Sequence, residues 1–220
     1  MKLALFDLDG TLLPFDSDHA FGEFMVRVGW ADGEHFRRRN DAFFRDYQAG
    51  TLDLDAYIDF ATAAWRERPQ AEAMRAHFMA EVIAPALHPR AQALVRGHRA
   101  AGELCAIVTA TNEFVTAPIA AAFDVEHLIA VQLSRDAAGR VDGRVAGVPS
   151  FREGKIVRLD QWLAALGHAR GDFERIAVYS DSTNDLPLLE AATHPVATNP
   201  SPPLQTLARE RGWPILKLFE

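Results

Sequence analysis

The chain has 220 residues, of which 49% are apolar and 24% are charged, and its formal net charge is −7. At this length we expect either one large globular domain or a core with an insert. The negative charge and the absence of a dense Lys/Arg face exclude the usual nucleic-acid partner and an anionic membrane surface.

The first predicted strand lies at the start of the chain and ends on two carboxylates. Residues 3–6 form a continuous apolar run, which is typical of a strand buried on both faces of a parallel sheet. Asp7 and Asp9 follow it, and Gly10 allows the chain to turn. Because ligands bind beyond the carboxyl ends of parallel strands, the pair is predicted at the mouth of a site. The alternative is an Asp-Gly pair that only ends a strand.

Four helical patterns follow, and no strand is predicted between residues 15 and 87. Apolar residues recur there at helical spacing, most clearly in residues 54–65, which Asp53 precedes as a predicted N-cap. Pro85 and Pro89 close the region. We therefore predict an all-helical insert at 15–87, packed by its own aromatic stripes, within a core made of residues 1–14 and 88–220.

From residue 90 onward, strands alternate with helices. Four further strands are predicted, together with a small hairpin at 140–145 and a helix at 155–166. Such alternation indicates an α/β fold with a parallel sheet covered by helices. The predicted strands are 104–108, 128–133, 175–179 and 195–197.

Polar side chains are predicted to meet at one edge of this sheet. Thr109 follows the second strand, Lys155 begins a helix, and Asp181 and Asp185 follow the fourth strand. Because converging carboxylates repel each other, they favour a hard divalent cation such as Mg²⁺. Lys155 and Thr109 suit phosphate oxygens. These residues predict a site in which one Asp attacks phosphorus and a second acid moves the proton.

Four parts of the chain resemble the four motifs of the haloacid dehalogenase phosphatase superfamily. They are the Asp-Leu-Asp-Gly-Thr segment at 7–11, Thr109, Lys155 and the Ser-Asp-Ser-Thr-Asn-Asp segment at 180–185. The match covers essentially the whole chain in the right order. It implies a Rossmann-like parallel-sheet core with an inserted all-helical cap domain. By this resemblance Asp7 is the nucleophile and a Mg²⁺ ligand, and Asp9 is the general acid/base and binds the metal through its backbone carbonyl. The resemblance further implies that Thr109 and Lys155 hold the phosphoryl group. Asp181 is implied to complete the metal site.

The resemblance also implies supporting residues beside these motifs. Asp185 acts through water or Lys155, and Ser180 stands where the family usually has a glycine. Asp9 is the feature that separates the phosphatases and mutases of this superfamily from its dehalogenases. The other implied supporting residues are Thr111, Ser182 and Asn184.

The helical insert is similar to the cap of the phosphoserine-phosphatase-like branch. In that branch an acid soon after the first motif binds the substrate ammonium, and Asp16 stands at this position. The cap arginine that binds the serine carboxylate aligns with Asp59. Because a carboxylate cannot pair with a carboxylate, we hypothesise an amine-bearing monoester such as histidinol phosphate instead of phosphoserine. The alternatives are a helix cap for Asp16 and an exposed helix residue for Asp59.

The main interpretation is a Mg²⁺-dependent phosphomonoester hydrolase that acts on a small phosphorylated metabolite. A phosphotransferase or phosphomutase of the same fold is one alternative, and a non-catalytic phosphoacceptor signalling domain is another, although Asp9 and the insert count against the latter. No nucleic-acid partner, membrane segment or signal peptide is predicted, so a cytoplasmic location is expected. The oligomeric state stays open, because the apolar segment 213–219 can pack on a partner or on its own core.

Overall fold

The protein is described by a computed structural model that covers residues 1–219. Six parallel strands form the main sheet in the spatial order β3-β2-β1-β6-β7-β8, and β4 and β5 form a separate antiparallel hairpin. The strands are β1 (Lys2–Phe6), β2 (Leu104–Asn112), β3 (His127–Val131), β4 (Leu133–Arg135), β5 (Val141–Val145), β6 (Arg175–Ser180), β7 (His194–Thr198) and β8 (Ile215–Leu216).

The first strand lies at the centre of the sheet, between β2 and β6. Its side chains alternate between two hydrophobic clusters: Ala4 and Phe6 enter one, and Leu3 and Leu5 enter the other. Both faces of β1 are therefore covered, which explains its continuous apolar run. The strand order reverses direction between β1 and β6, and such a reversal is where ligands bind in open α/β sheets.

The region between β1 and β2 is helical, as predicted. Asp16 and Asp53 cap α1 and α3 through their side chains, and Gly50 ends α2 with a left-handed backbone. The predicted fourth helix is divided, because a π-helical turn (Met79–Ile83) separates α4 from α5. The helices here are α1 (Ser17–Arg27), α2 (Gly33–Ala49), α3 (Leu54–Ala63), α4 (Ala71–Phe78) and α5 (Ala84–Ala86).

The helical insert does not have a hydrophobic core separate from that of the sheet. Phe21 and Ile58 of the insert belong to the same buried cluster as Phe6 of β1. Trp65 also stacks on Phe114 of the core, with ring centroids 3.9 Å apart. The insert is packed by its own aromatic side chains as predicted, for example Phe21 against Phe78, but this packing is continuous with the core of the sheet. The division into domains at 15–87 stays a prediction.

The remaining helices lie between the strands of the sheet. They are α6 (Pro89–Ala100), α7 (Glu113–Ala122), α8 (Glu153–Ala165), α9 (Leu186–Glu190) and α10 (Pro202–Arg211). The predicted strand at 128–133 is two strands in the structure, because β3 joins the main sheet and β4 turns away to pair with β5. A hairpin is thus present, but the range 140–145 predicted for it holds only its second strand, because the first strand is β4 and the turn lies at 136–139.

The apolar segment at 213–219 packs on the chain's own core. Its strand β8 pairs with β7, and Leu218 is buried in the cluster that also contains Phe6. Neither α10 nor β8 was predicted from the sequence. Within residues 1–219, no helix combines the length and the apolar character that crossing a bilayer requires.

Candidate active site

The candidate active site lies at the carboxyl ends of β1 and β6. Lys155, in the first turn of α8, places its Nζ 2.9 Å from Asp7 Oδ1 and 2.6 Å from Asp185 Oδ1. All three side chains are buried, and Lys155 is only 1% exposed. The structure therefore brings together three of the predicted site residues, from segments far apart in the chain.

Burial dominates the ionisation of this cluster. It raises the pKa of Asp7 to about 7, because the attraction of Lys155 offsets only part of the lost hydration. Burial alone would lower the pKa of Lys155, but the carboxylates of Asp185 and Asp7 outweigh it and hold that pKa above its ordinary value. The lysine is therefore a fixed positive charge next to the predicted nucleophile.

Asp181 lies on the other side of Asp7. The Thr11 hydroxyl is 3.3 Å from Asp7 Oδ2 and 3.2 Å from Asp181 Oδ1. Burial, followed by the charges of Asp7 and Asp185, raises the pKa of Asp181 well above its ordinary value. These carboxylates hold more negative charge than one lysine neutralises. Their oxygens are the donors that Mg²⁺ prefers, so the residues fit a divalent cation.

Gly10 is required where the chain passes Asp181. Its φ is +76°, and a Cβ at this position would lie 2.4 Å from Asp181 Oδ2. We expect Gly10→Ala to lower the free energy of unfolding by about 1 kcal/mol for the left-handed backbone and by about 2 kcal/mol more for the clash. Activity should also fall, because Asp181 must move.

Gly29→Ala is the matched control for this substitution in urea unfolding and phosphatase assays. Gly29 has a φ of +77°, and a Cβ there would meet nothing within 4 Å. Gly29→Ala should therefore lower the free energy of unfolding only by the cost of the left-handed backbone, and it should keep full activity. If Gly10→Ala and Gly29→Ala lowered the free energy of unfolding equally, the contact with Asp181 would not be the reason that a glycine is needed at position 10.

Asp9 contacts both the helical insert and the sheet. Its Oδ1 accepts a hydrogen bond from the Ser17 backbone N–H at 2.8 Å, and its Oδ2 accepts one from the Thr111 hydroxyl at 2.8 Å. Burial, and then the charge of Asp16, raises the pKa of Asp9 to about 7. A carboxyl with this pKa can both donate and accept a proton near neutral pH. Thr109 is buried at the same end of β2, and its hydroxyl accepts a hydrogen bond from the Thr111 backbone N–H at 3.1 Å.

The segment after β6 supports Asp185 and contacts the insert. The Ser180 hydroxyl donates to Asp185 Oδ2 at 2.8 Å, and the Ser182 hydroxyl accepts from the Asn184 backbone N–H at 3.1 Å. The Asn184 side chain donates to the carbonyl of Tyr47 in α2 at 3.0 Å. Ser180, which stands where the family usually has glycine, therefore orients an acid of the site.

A narrow cavity of about 30 Å³ extends from Asp9 into the helical insert. Asp9, Asp16 and Asp18 line it, and none of its lining residues is Lys or Arg. Asp9 and Asp16 also border a wider cleft that reaches Gly10 and Asp181. The cavity and the cleft thus meet at Asp9. The aromatic side chains that line the cavity are Phe43, Phe44, Tyr47 and Tyr57, together with the imidazole of His19.

The sequence profile of haloacid dehalogenase-like hydrolases matches residues 4–190, which contain all four of the predicted motifs. The chain belongs to this family. The family resemblance stated from the motifs is therefore confirmed, and the alternative of a non-catalytic signalling domain is wrong.

Relatives with similarity over almost the whole chain place it among the phosphatases of the family. A histidinol-phosphatase of Neisseria meningitidis serogroup C is 42% identical over 98% of each chain. The crystal structure of a Bordetella pertussis Tohama I protein of unknown function has a TM-score of 0.93, with 51% identity over 99% of each chain. A phosphoserine phosphatase solved as a phospho-aspartyl intermediate analogue has a TM-score of 0.67 at 16% identity, over 98% of this chain and 92% of that one, and so shares the fold.

Asp59 is an exposed helix residue, which is the alternative that the sequence left open for it, and it does not line the cavity. It forms an ion pair with Arg66 at 2.6 Å, and its side chain is 66% exposed. Successive residues of an α-helix point about 100° apart. Because Tyr57 of α3 faces the cavity and Ile58 faces the core, Asp59 points outward.

Asp16 has one of the two roles that the sequence left open, that of a helix cap, and contact with a substrate ammonium stays a prediction. Its Oδ1 accepts a hydrogen bond from the His19 backbone N–H at 2.8 Å, as a helix cap does, and its side chain lines the cavity. Burial raises the pKa of Asp16 to about 6. The residue that caps α1 is therefore also part of the cavity wall.

Two site residues were not predicted from the sequence. Asp18 is buried in the cavity wall but stood in a polar cluster that indicated only helix capping. Asn199 donates from its side chain to the carbonyls of Gly10 and Thr11, at 3.0 and 3.1 Å. The sequence shows only that Asn199 follows a predicted strand. That position alone does not indicate that its side chain binds the distant loop at residues 10–11.

Proposed function

We propose that this phosphatase is a Mg²⁺-dependent hydrolase that forms an aspartyl-phosphate on Asp7 and acts on histidinol phosphate, a small amine-bearing metabolite of the cytoplasm. The observation that carries this proposal is the cavity beside Asp9, which has acidic and aromatic walls and no Lys or Arg. In this proposal residues 15–87 form a cap domain over a core made of 1–14 and 88–220.

The chemistry follows from the placement of two acids. A carboxylate oxygen of Asp7 attacks phosphorus as the ester P–O bond breaks, and Asp9 gives its proton to the departing alkoxide. Asp9 then takes a proton from water, which attacks the aspartyl-phosphate and releases inorganic phosphate and free Asp7. The pKa of Asp9, raised to about 7, suits both steps.

The other motif residues bind and orient the phosphoryl group in this proposal. Lys155 and Thr109 contribute a positive charge and a hydroxyl for its oxygens. Asp7, the Asp9 carbonyl and Asp181 would hold Mg²⁺, which offsets the charge of the phosphoryl group. Asp185 holds Lys155 in place at 2.6 Å. Thr111, Ser182 and Asn184 support these groups through the hydrogen bonds described above.

The walls of the cavity support an ammonium-bearing substrate without a carboxylate. Asp16 is placed to bind the ammonium, and the aromatic rings favour a flat side chain over a small polar one. A substrate carboxylate would find no Lys or Arg in the lining, where the His19 imidazole already pairs with Asp41, and it would face three acids. The 42% identical histidinol-phosphatase is consistent with this substrate.

We expect kcat/KM for L-histidinol phosphate to exceed that for O-phospho-L-serine by about 100-fold, because a carboxylate next to like charges costs several kcal/mol. Phosphate release should require Mg²⁺ and stop on chelation with EDTA. Comparable rates on both esters would contradict the substrate proposal. A transfer product formed with an added alcohol, in preference to free phosphate, would favour the phosphotransferase alternative.

A further inference from the structure

Asp18 is a buried carboxylate whose hydrogen bonds come from neutral groups. It lies in the first turn of α1 and is 6% exposed. The Asn112 side-chain amide donates to both of its oxygens at 3.2 Å, and the Tyr57 hydroxyl donates to it as well. Burial raises the pKa of Asp18 to about 7, with the charge of Asp9 adding to the effect. Asp18 is therefore a costly group to bury unless a ligand contributes a further donor.

Asn112 holds Asp18 in a defined orientation. The Asn112 side-chain oxygen caps α7 by accepting the Val115 backbone N–H at 3.2 Å. The amide nitrogen must therefore face Asp18. The preceding residue, Thr111, binds Asp9 in the same way from the end of β2. Two adjacent residues thus fix two carboxylates of one cavity, the catalytic one and a second one towards the insert.

The surroundings of Asp18 indicate what this carboxylate binds. Tyr57 and Phe43 line the same cavity, and their rings are 5.3 Å apart. Asp16 already offers one carboxylate to an ammonium. Asp18 is then a second acceptor, next to aromatic rings that can pack on a flat ring.

We propose that Asp18 determines specificity by accepting the ring N–H of a substrate that carries an ammonium and an N–H-bearing heteroaromatic ring, with Asn112 and Tyr57 as positioning residues. This proposal rests on the proposed function, and it adds the residue that distinguishes the imidazole of histidinol phosphate from smaller amines. No bond to Asp18 forms or breaks.

The experiment compares wild type and Asp18→Asn on two esters with Mg²⁺ present. We expect Asp18→Asn to lower kcat/KM for L-histidinol phosphate by about 10- to 100-fold, mainly through KM, since a hydrogen bond to a charged group is lost. For phosphoethanolamine, which has the ammonium but no ring, kcat/KM should change less than about 3-fold. Asp46→Asn, an exposed change on α2, should alter neither ester.

Binding of the product L-histidinol, measured by calorimetry, gives a readout that does not depend on turnover. Its Kd should rise about 10-fold or more in Asp18→Asn, and by a smaller factor in Tyr57→Phe, which keeps the carboxylate but removes one donor. If Asp18→Asn does not fold, Tyr57→Phe tests the proposal instead. The proposal then requires that Tyr57→Phe lowers kcat/KM for L-histidinol phosphate but not for phosphoethanolamine.

The outcomes separate the two proposals. A wild-type enzyme that does not hydrolyse L-histidinol phosphate overturns both of them. A wild-type enzyme that hydrolyses it, with an Asp18→Asn variant that loses equally on both esters or on neither, overturns only the role of Asp18.

Discussion

Replacing Asp7 by asparagine is expected to lower kcat/KM for phosphomonoesters by at least about 10⁴-fold, which is the scale of removing a nucleophile. An amide cannot attack phosphorus, and no other carboxylate occupies the same position beside Lys155. The fold should persist, because asparagine has the same shape and Lys155 keeps Asp185 at 2.6 Å. Initial rates of phosphate release and urea unfolding measure the two effects.

Asp160→Asn is the matched control, because Asp160 is an exposed acid that pairs with Arg170 outside the site. It should retain wild-type rates. Mass spectrometry of acid-quenched wild type should find a phosphoryl adduct on Asp7 that Asp7→Asn lacks. Substantial turnover by Asp7→Asn would show that another group attacks phosphorus. An adduct that outlasts the turnover time would show that it is not the catalytic intermediate.

Replacing Lys155 by methionine is expected to lower the free energy of unfolding by about 3 kcal/mol at pH 8, because it leaves buried carboxylates without their cation. The loss should be smaller at pH 5. With Lys155 present, the pKa of Asp7 is already raised from 3.8 to about 7, and losing the lysine raises it further. An acid whose pKa is raised in the folded state lowers the free energy of unfolding as the pH rises towards that pKa. The further loss caused by removing Lys155 is absent at pH 5, because Asp7 is protonated there in both the wild type and Lys155→Met.

Urea unfolding at the two pH values tests this expectation, with Lys2→Met as the control. Lys2 is exposed at the start of β1, so its replacement should change stability by less than about 0.5 kcal/mol at either pH. Activity of Lys155→Met should also be lost, since the phosphoryl group loses its fixed positive charge. A loss of stability that is equal at pH 5 and pH 8 would contradict the role of the ion pairs.

The catalytic edge was predictable because its residues follow from local pattern. An apolar run that ends on Asp7 indicates a buried strand, and a parallel sheet then places its carboxyl end beside that of β6. Lys155 could be placed as well, because a helix that follows a strand begins near the same edge. The order of the motifs therefore predicted which side chains meet, although β2 extends beyond the predicted 104–108 to Asn112.

The substrate-facing wall was less predictable, because which side of each helix faces the cavity depends on packing between distant segments. Asp18 and Asp59 are both acids in amphipathic helices, and sequence alone gave the second one the functional role. In the structure Asp18 is buried against Asn112 in the cavity wall, while Asp59 pairs with Arg66 at the surface. Long-range hydrogen bonds of this kind leave no signal in the local pattern.

The link between Asn199 and the loop after Asp7 has a consequence for how the chain matures during synthesis. Asn199 binds the carbonyls of Gly10 and Thr11, and its side-chain oxygen accepts the Leu218 backbone N–H at 2.7 Å. The loop at residues 10–11 is therefore complete only after Asn199 and Leu218 have been synthesised. Before that, β1 is an apolar strand that lacks one of its two neighbours until β6 (Arg175–Ser180) has been synthesised, and such non-local pairing is typical of slow-folding parallel sheets. The loop that follows Asp7 and the strand β8 near Leu218 are thus completed together.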